Sequence, residues 1–212
     1  MPARGRPSSI HRFPVILTRS AIAALGLLVL HPAEAPAQVP SQEVQIAMAV
    51  QAAPADRRDG ARVLGYAEDG SVVVLREGEN DLVCLSDNPK QEGFSAACYH
   101  VSIEPYMARG RELRAQGVED PERTQRRWEE AEAGTLPMPE KPATMYVLSG
   151  ESYDPATGEI TERYLRYVIY TPWATAEETG LPTRPIGPAS PWLMFPGTAG
   201  AHIMVSPPQE GG

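Results

Sequence analysis

Apolar and polar positions alternate in short blocks over much of this chain, with helical spacing near the N-terminus and again in the middle. Arg62-Val63-Leu64-Gly65-Tyr66 and Val72-Val73-Val74-Leu75 flank Asp69-Gly70. Asp-Gly admits the positive backbone angles of a two-residue turn, so these blocks predict a hairpin. A turn at Glu77-Gly78-Glu79-Asn80 leads into a short strand, Leu82-Val83-Cys84-Leu85, which Asp87-Asn88-Pro89 ends. Thr144 to Leu148 reads as a strand and Asp154 to Gly158 as a turn. Tyr164 to Tyr170 is apolar on both faces, which predicts a central strand covered on both sides.

The last blocks predict a second hairpin, Trp192 to Phe195 against Ala201 to Val205, with residues 196–200 as its loop. Phe195 then opposes Ala201, Met194 opposes His202 and Trp192 opposes Met204. Alternation places Leu193, Phe195, Ile203 and Val205 on a core face, and Trp192, Met194, His202 and Met204 on the other. Helical spacing runs from Ser41 to Ala53, begun by Pro40-Ser41 and stopped by Pro54. In the middle, Ser102 is placed to cap a helix with Ile103, Tyr106, Met107 and Leu113 on its apolar face and Gly117 at its end. Asp120-Pro121-Glu122 starts a second helix, with Asp as cap and Pro in the first helical position, and Gly134 stops it. Leu136 to Pro142 connects, Thr175 to Thr179 supplies one helical turn, and residues 181–191, with four prolines, form an extended solvent-facing connector. No repeat has a fixed period. The fold class is therefore α+β: a mostly antiparallel β-sheet with a central helical hairpin and a C-terminal β-hairpin.

Composition adds a compartment. The 212 residues are 42% apolar and 22% charged, which fits one globular domain. Arg4, Arg6, Arg12 and Arg19 precede an uncharged run from Ala21 to Leu30, and Ala35-Pro36-Ala37 follows. That layout predicts a signal peptide over residues 1–37, cleaved before Gln38, and an exported protein, periplasmic or extracellular. As a helix the apolar run reaches about 15 Å, roughly half of a bilayer core, so no stable transmembrane anchor is expected. Residues 38–60 then form an N-terminal helix and linker, 61–208 a single domain and 209–212 a disordered tail. Cys84 and Cys98 form an even pair in an oxidising compartment, which predicts a disulfide closing a loop of about 15 residues. The alternative, a reactive thiol near His100 and Asp87, lacks the Cys-x-x-Cys spacing of redox exchange. Taking four Arg and Glu34 of the leader from 19 basic and 27 acidic residues leaves 15 against 26, a formal charge of −11. Nucleic acid is excluded as a partner on this ground. The one basic cluster, Arg123, Arg126 and Arg127, lies among Glu122, Glu129, Glu130 and Glu132 and reads as a solvated helix.

Several stretches taken in order resemble an uncharacterised family of exported bacterial proteins. They are Leu75-Arg76-Glu77-Gly78-Glu79-Asn80 leading to Cys84 and Asp87, the Cys98 segment, Tyr146-Val147-Leu148-Ser149-Gly150, and Pro191-Trp192-Leu193-Met194-Phe195-Pro196-Gly197-Thr198 followed by Ala201-His202-Ile203-Met204. The resemblance spans about residues 61–208 and implies export and a set of recurring motifs. It implies no activity, substrate or catalytic residue. Where the members it resembles carry Pro near position 199, this chain has Ala199.

Gly-x-Ser-x-Gly, a phosphate loop ending in Lys-Ser or Lys-Thr, Gly-x-Gly-x-x-Gly and His-Glu-x-x-His are all absent from the sequence. Past residue 37 the only histidines are His100 and His202, which leaves no three-histidine zinc site within one chain. Three candidate surfaces remain. Met194, His202 and Met204 share a strand face and offer soft ligands to copper as Cu(I), with Trp192 as a shield; the competing role of such methionines is core packing. Arg76, Glu77, Asn80 and Asp87 with His100 gather polar groups near the disulfide, suited to a ligand or to proton transfer in a hydrolase-like enzyme, and Trp192 completes the ligand-binding set. Each has a local alternative: an Arg76–Glu77 pair, Asn80 as a left-handed turn residue, Asp87 as a cap. The proline connector can dock an envelope protein. Together these favour a binding or envelope-associated module over an enzyme, with an envelope protein or a small molecule as partner.

Overall fold

The computed structural model describes residues 38–208, so the expected signal peptide 1–37 and tail 209–212 lie outside the described residues. The first hairpin is β1 (Arg62–Tyr66) and β2 (Val72–Arg76), followed by β3 (Leu82–Leu85) and β4 (Phe94–His100). After two helices come β5 (Ala143–Gly150), β6 (Ser152–Tyr153), β7 (Ile160–Thr161) and β8 (Tyr164–Tyr170), then β9 (Trp192–Met194) and β10 (His202–Val205). Eight of these make one sheet in the order β2-β1-β3-β4-β5-β8-β10-β9, while β6 and β7 form a small ribbon. Every pair in the large sheet is antiparallel except β1 with β3. The α+β class and the C-terminal hairpin are therefore present.

Two rows of directly opposed residues cross this sheet. One runs Val63–Cys84–Cys98–Tyr146–Tyr167–Val205, the next Arg62–Val83–Tyr99–Met145–Val168–Met204–Trp192. Neighbouring rows point to opposite faces. Cys84 and Cys98 are cross-strand partners and are disulfide-bonded, as expected from their count. Helix α1 (Gln42–Ala49) and the short turn Val50–Ala52 cover the disulfide face, where Met48, Ala49 and Ala52 pack with Val63, Leu82, Phe94, Ala96 and Leu148. Helices α2 (Glu104–Ala115) and α3 (Glu122–Glu132) form the expected hairpin and cover the other face, with Ile103, Tyr106, Ala131 and Leu136 against Val83, Tyr99, Val168 and Tyr170.

A buried glutamine docks α1. Gln45 lies where β1 has separated from β3: its Oε1 accepts from the Tyr66 N–H at 2.7 Å and its Nε2 donates to the carbonyls of Tyr66 and Pro40. A β-carbon at Gly65 would occupy the position of this side chain and of Leu75, which explains glycine within a strand.

Several local expectations are corrected. The first hairpin turns on three residues, not two: Ala67 N–H bonds Ser71 C=O, Gly70 N–H bonds Ala67 C=O, and only Gly70 takes a positive φ, at 86°. Asp69 instead accepts from Ser71 N–H through its carboxylate. Strand β4 has no counterpart in the sequence reading, because Ser95, Ala96 and Ala97 offer little apolar contrast. His100, not Ser102, caps the turn ahead of α2, its Nδ1 accepting from Ser102 N–H at 3.2 Å. Asp120 does not cap α3 either; its carboxylate is taken by Arg123 and Thr124. Strand β8 is interior, but Tyr167 remains 38% exposed, since cover on the disulfide face ends near Leu165. Thr175 to Thr179 does form its turn, α4 (Ala176–Thr179), closed by a reciprocal Thr175–Glu178 cap.

Two consequences are measurable by urea unfolding. Removing the disulfide as Cys84→Ala/Cys98→Ala releases a loop with a sequence separation of 14; the expected loss is about 3 kcal/mol of unfolding free energy. Gln45→Leu leaves the Tyr66 N–H and C=O unpaired at the α1 contact, and the expected loss is about 1–3 kcal/mol.

Candidate binding cleft

The polar cluster expected near the disulfide is divided by the fold. Arg76 turns inward, its guanidinium donating to the carbonyls of Ala61 and Arg58. Glu77 does not pair with it; Glu77 lies 3.5 Å from Arg62 Nε and is 81% exposed. Asn80 ties down the turn before β1, donating to Arg57 C=O at 2.8 Å and accepting from Leu82 N–H at 2.9 Å. Its φ is not positive, so the left-handed role does not apply. Asp87 lies beyond the other end of β3, where it accepts from Ser95 N–H, and burial pushes its carboxyl above the ordinary range. Asn80 and His100 are therefore at one end of β3 and Asp87 at the other.

Around His100 the structure adds three residues that the sequence reading did not select. Nδ1 lies 2.8 Å from Ser102 Oγ, Nε2 lies 3.5 Å from Asp81 Oδ2, and Asp81 is paired with Arg57. The order serine, imidazole, carboxylate has the polarity of an activated hydroxyl. Nδ1 is shared with the Ser102 N–H that it caps, however, and the imidazole and Asp81 are 41% and 45% exposed. This arrangement serves as a helix cap in open solvent.

The C-terminal hairpin has the expected register: His202 opposes Met194, Ile203 opposes Leu193 and Met204 opposes Trp192. The sorting by strand alternation changes only at Phe195, but the expected core face does not hold: His202 is buried and Met204 packs under the helices, whereas Ile203 and Val205 are half-buried, and of the expected core set only Leu193 is fully buried. Phe195 takes φ 55°, leaves the strand alternation and joins the His202 side, 5.1 Å from the Trp128 ring and 5.8 Å from His202. Tyr170 lies 5.2 Å from the same imidazole and 5.9 Å from Tyr106, whose hydroxyl accepts from Trp128 Nε1. These five rings close a loop of contacts around Gly200, where a β-carbon would meet Trp128. His202 itself is buried, with Nδ1 2.7 Å from Gly200 C=O. Met204 packs into the core beneath the helices, while Met194 and Trp192 are half-buried. Among the described residues no group of three or more His, Cys, Asp or Glu side chains is placed to hold a metal ion.

A wide concavity lies elsewhere, between α2 and the face of β1 to β4 that the helical hairpin covers only in part. It measures about 880 Å³, within the range of ligand clefts. Leu64, Leu85, Ala97, Tyr99 and Met145 line its strand side, and Met107, Arg111 and Arg114 of α2 face them. Arg62, Lys90, Arg123 and Arg127 complete a set of six cations. Only two acids line the cleft, and both are already paired: Glu104 with Arg111 at 2.6 Å and Glu112 with Arg109 at 3.1 Å. Arg123 is held by Asp120. Lys90, Arg114 and Arg127 make no ion pair among the described residues; Arg127 lies 4.2 Å from the centre of the Tyr106 ring, and Lys90 donates to Asp69 C=O. Arg62 Nε is buried and has no hydrogen-bond partner.

Tyr99 anchors the cleft wall. Its hydroxyl donates to Glu104 at 2.6 Å and accepts from Arg111 at 2.9 Å, tying α2 to β4, and burial pushes its phenol well above the ordinary value. Burial also raises the Tyr66 phenol, with Arg114 and Arg111 opposing the shift. The sequence signal for this site was the stripe Met107, Arg111, Arg114, spaced i, i+4, i+7 on α2. The stripe alone does not mark a site, because only the strand pairing places Leu64 and Met145 opposite it.

No protein-family model, no curated protein and no solved structure matches this chain.

Burial holds His202 below its ordinary pKa, against the opposing bond to Gly200. An unfolded imidazole takes up its proton near pH 6.5 and the folded one only at lower pH, so this contribution to stability is complete above about 6.5 and is lost as pH falls toward the folded value. His202→Asn, which can still donate to Gly200 C=O, is expected to show a smaller drop in melting temperature than the wild type between pH 7 and pH 5. Identical pH slopes for the two proteins would contradict this account.

Proposed function

We propose that this chain is an exported, non-enzymatic binding module, and that the cleft between α2 and β1–β4 takes an anion with an apolar body. The carrying observation is the charge contrast: six cationic side chains surround an apolar floor in a chain whose formal charge is −8. A low-dielectric wall beside unpaired cations favours an anion that brings apolar surface with it, because burial and charge then act together. The overall acidity argues against a nucleic acid as that anion. The basic and apolar N-terminal pattern, the resemblance to exported proteins and the Cys84–Cys98 disulfide support export. No helix among the described residues is long and apolar enough to cross a membrane.

The test uses 1-anilinonaphthalene-8-sulfonate, a sulfonate on a fused aromatic body, titrated into the full chain and followed by its fluorescence. Saturable binding near one equivalent is expected, weakening with added salt. Lys90→Glu/Arg114→Glu is expected to weaken it about tenfold, or 1.4 kcal/mol. Binding that ignores both salt and these charges would refute the cleft as an anion site.

A further inference from the structure

The two edges of the sheet are treated differently. At one edge β9 has only three residues, is bracketed by Pro191 and Pro196, and donates from Leu193 N–H to Pro182 C=O of the connector. Chain and prolines thus protect it from further pairing. The other edge is β2, where Val72, Val73 and Val74 are 36%, 36% and 42% exposed, with no proline or charge among them. Aggregation-prone edges are ordinarily shortened, charged or covered. Apart from Gln42, which bonds Leu75 C=O at the end of the strand, no side chain among the described residues bonds the β2 backbone.

The pairing of β2 with β1 shows which backbone groups are free. Ala67 and Ser71 form a hydrogen-bonded pair, and in an antiparallel ladder such pairs alternate, so Val73 bonds Gly65 while the N–H and C=O groups of Val72 and Val74 point away from β1. These groups lie along the margin of the cleft, since Val72, Val73 and Val74 all line it. Lys90 reaches the β1–β2 turn through Asp69 C=O and makes no ion pair among the described residues, so an open cation stands at that end of the valines; Arg62, at the start of β1, has Glu77 3.5 Å from its Nε.

We propose that β2 is an acceptor strand, and that the occupant is an extended segment of another protein whose side chains on the cleft side are acidic. The segment adds a ninth strand to the sheet. Its backbone pairs with Val72 and Val74, and its alternate carboxylates meet Lys90 and Arg114, which make no ion pair among the described residues. Charge complementarity selects this occupant over a second copy of the chain, which would bring the same cations to the same margin and a further charge of −8. The inference rests on the cleft being an anion site and adds the class of partner.

A capped peptide of alternating Glu and Val, about six residues long as in a typical strand, is titrated into the full chain beside a counterpart with Lys for Glu. The Glu peptide is expected to bind about tenfold more tightly than the Lys peptide and to slow amide exchange at Val72 and Val74. Val74→Pro removes one outward N–H without breaking a bond to β1, so it is expected to weaken the peptide about tenfold. Amide exchange on the wild type answers the same question if that variant fails to fold. Peptide binding that survives Val74→Pro, or that leaves exchange at Val72 and Val74 unchanged, overturns strand addition but leaves the anion cleft in place. Equal affinity for the Lys peptide overturns the acidic partner. A doubled native mass with protected Val72 and Val74 before any peptide is added assigns the edge to a second copy instead. Loss of naphthalene sulfonate binding from the wild type would remove the cleft itself.

Discussion

The register of β3 against β4 is the constraint on which the rest of this structure depends. Once Cys84 is bonded to Cys98, the row through them faces α1 and the row through Val83 and Tyr99 faces the helical hairpin. The same two rows continue across β5, β8 and β10, so one covalent bond between adjacent strands accords with the facing of side chains as distant as Met204 and Trp192. A slip of β4 by one residue would present Tyr99 to α1 and the Cys98 sulfur to α2, away from Cys84. Both cysteines are completely buried, and Cys98 Sγ lies 3.3 Å from Ala49 C=O, so the bond also forms part of the surface on which α1 rests.

The two faces are then finished by different means. On the disulfide face the cover is short and its attachment is polar: Gln45 replaces the strand partner that β1 lacks at Tyr66. On the opposite face the hairpin is fixed at one side by the aromatic contacts of Tyr106, Trp128, Phe195, His202 and Tyr170, and at the other by the Tyr99–Glu104–Arg111 bonds. The aromatic side is closed. The side toward β1 and β2 is open, because α2 and α3 do not extend over the first hairpin, and the cleft is the space that results. Four of its six cations, Arg111, Arg114, Arg123 and Arg127, are on helix positions that would be solvated on an ordinary surface helix.

Much of the fold was legible because it follows from local chemistry. Turn residues, helix stops at Gly117 and Gly134, and period-two alternation in the last hairpin all express backbone preferences within a few residues, and the Met194–His202 register was recovered from loop length alone. The failures are also local but involve competition. Ser102 has the side chain of a cap, yet the imidazole two residues earlier reaches its N–H first. Asp120 is likewise drawn from the backbone by Arg123. Phe195 departs from its strand because a neighbouring helix offers the Trp128 ring, a partner that no alternation pattern contains.

The candidate site shows the same division more strongly. By itself the sequence determined the paired cysteines, the central helices, the closing hairpin and the acidity of the chain, since each is a property of residue type and short-range spacing. Tertiary structure alone decided that His100 stands at the Asn80 end of β3 and away from Asp87, that His202 is enclosed by aromatic rings, and that Arg114 and Lys90, 24 positions apart in the sequence, border one apolar floor. A binding surface is a coincidence of distant segments in space, and its charge counts only after local partners have neutralised what they can reach. Both depend on strand order and helix docking, which residue spacing along one segment does not encode.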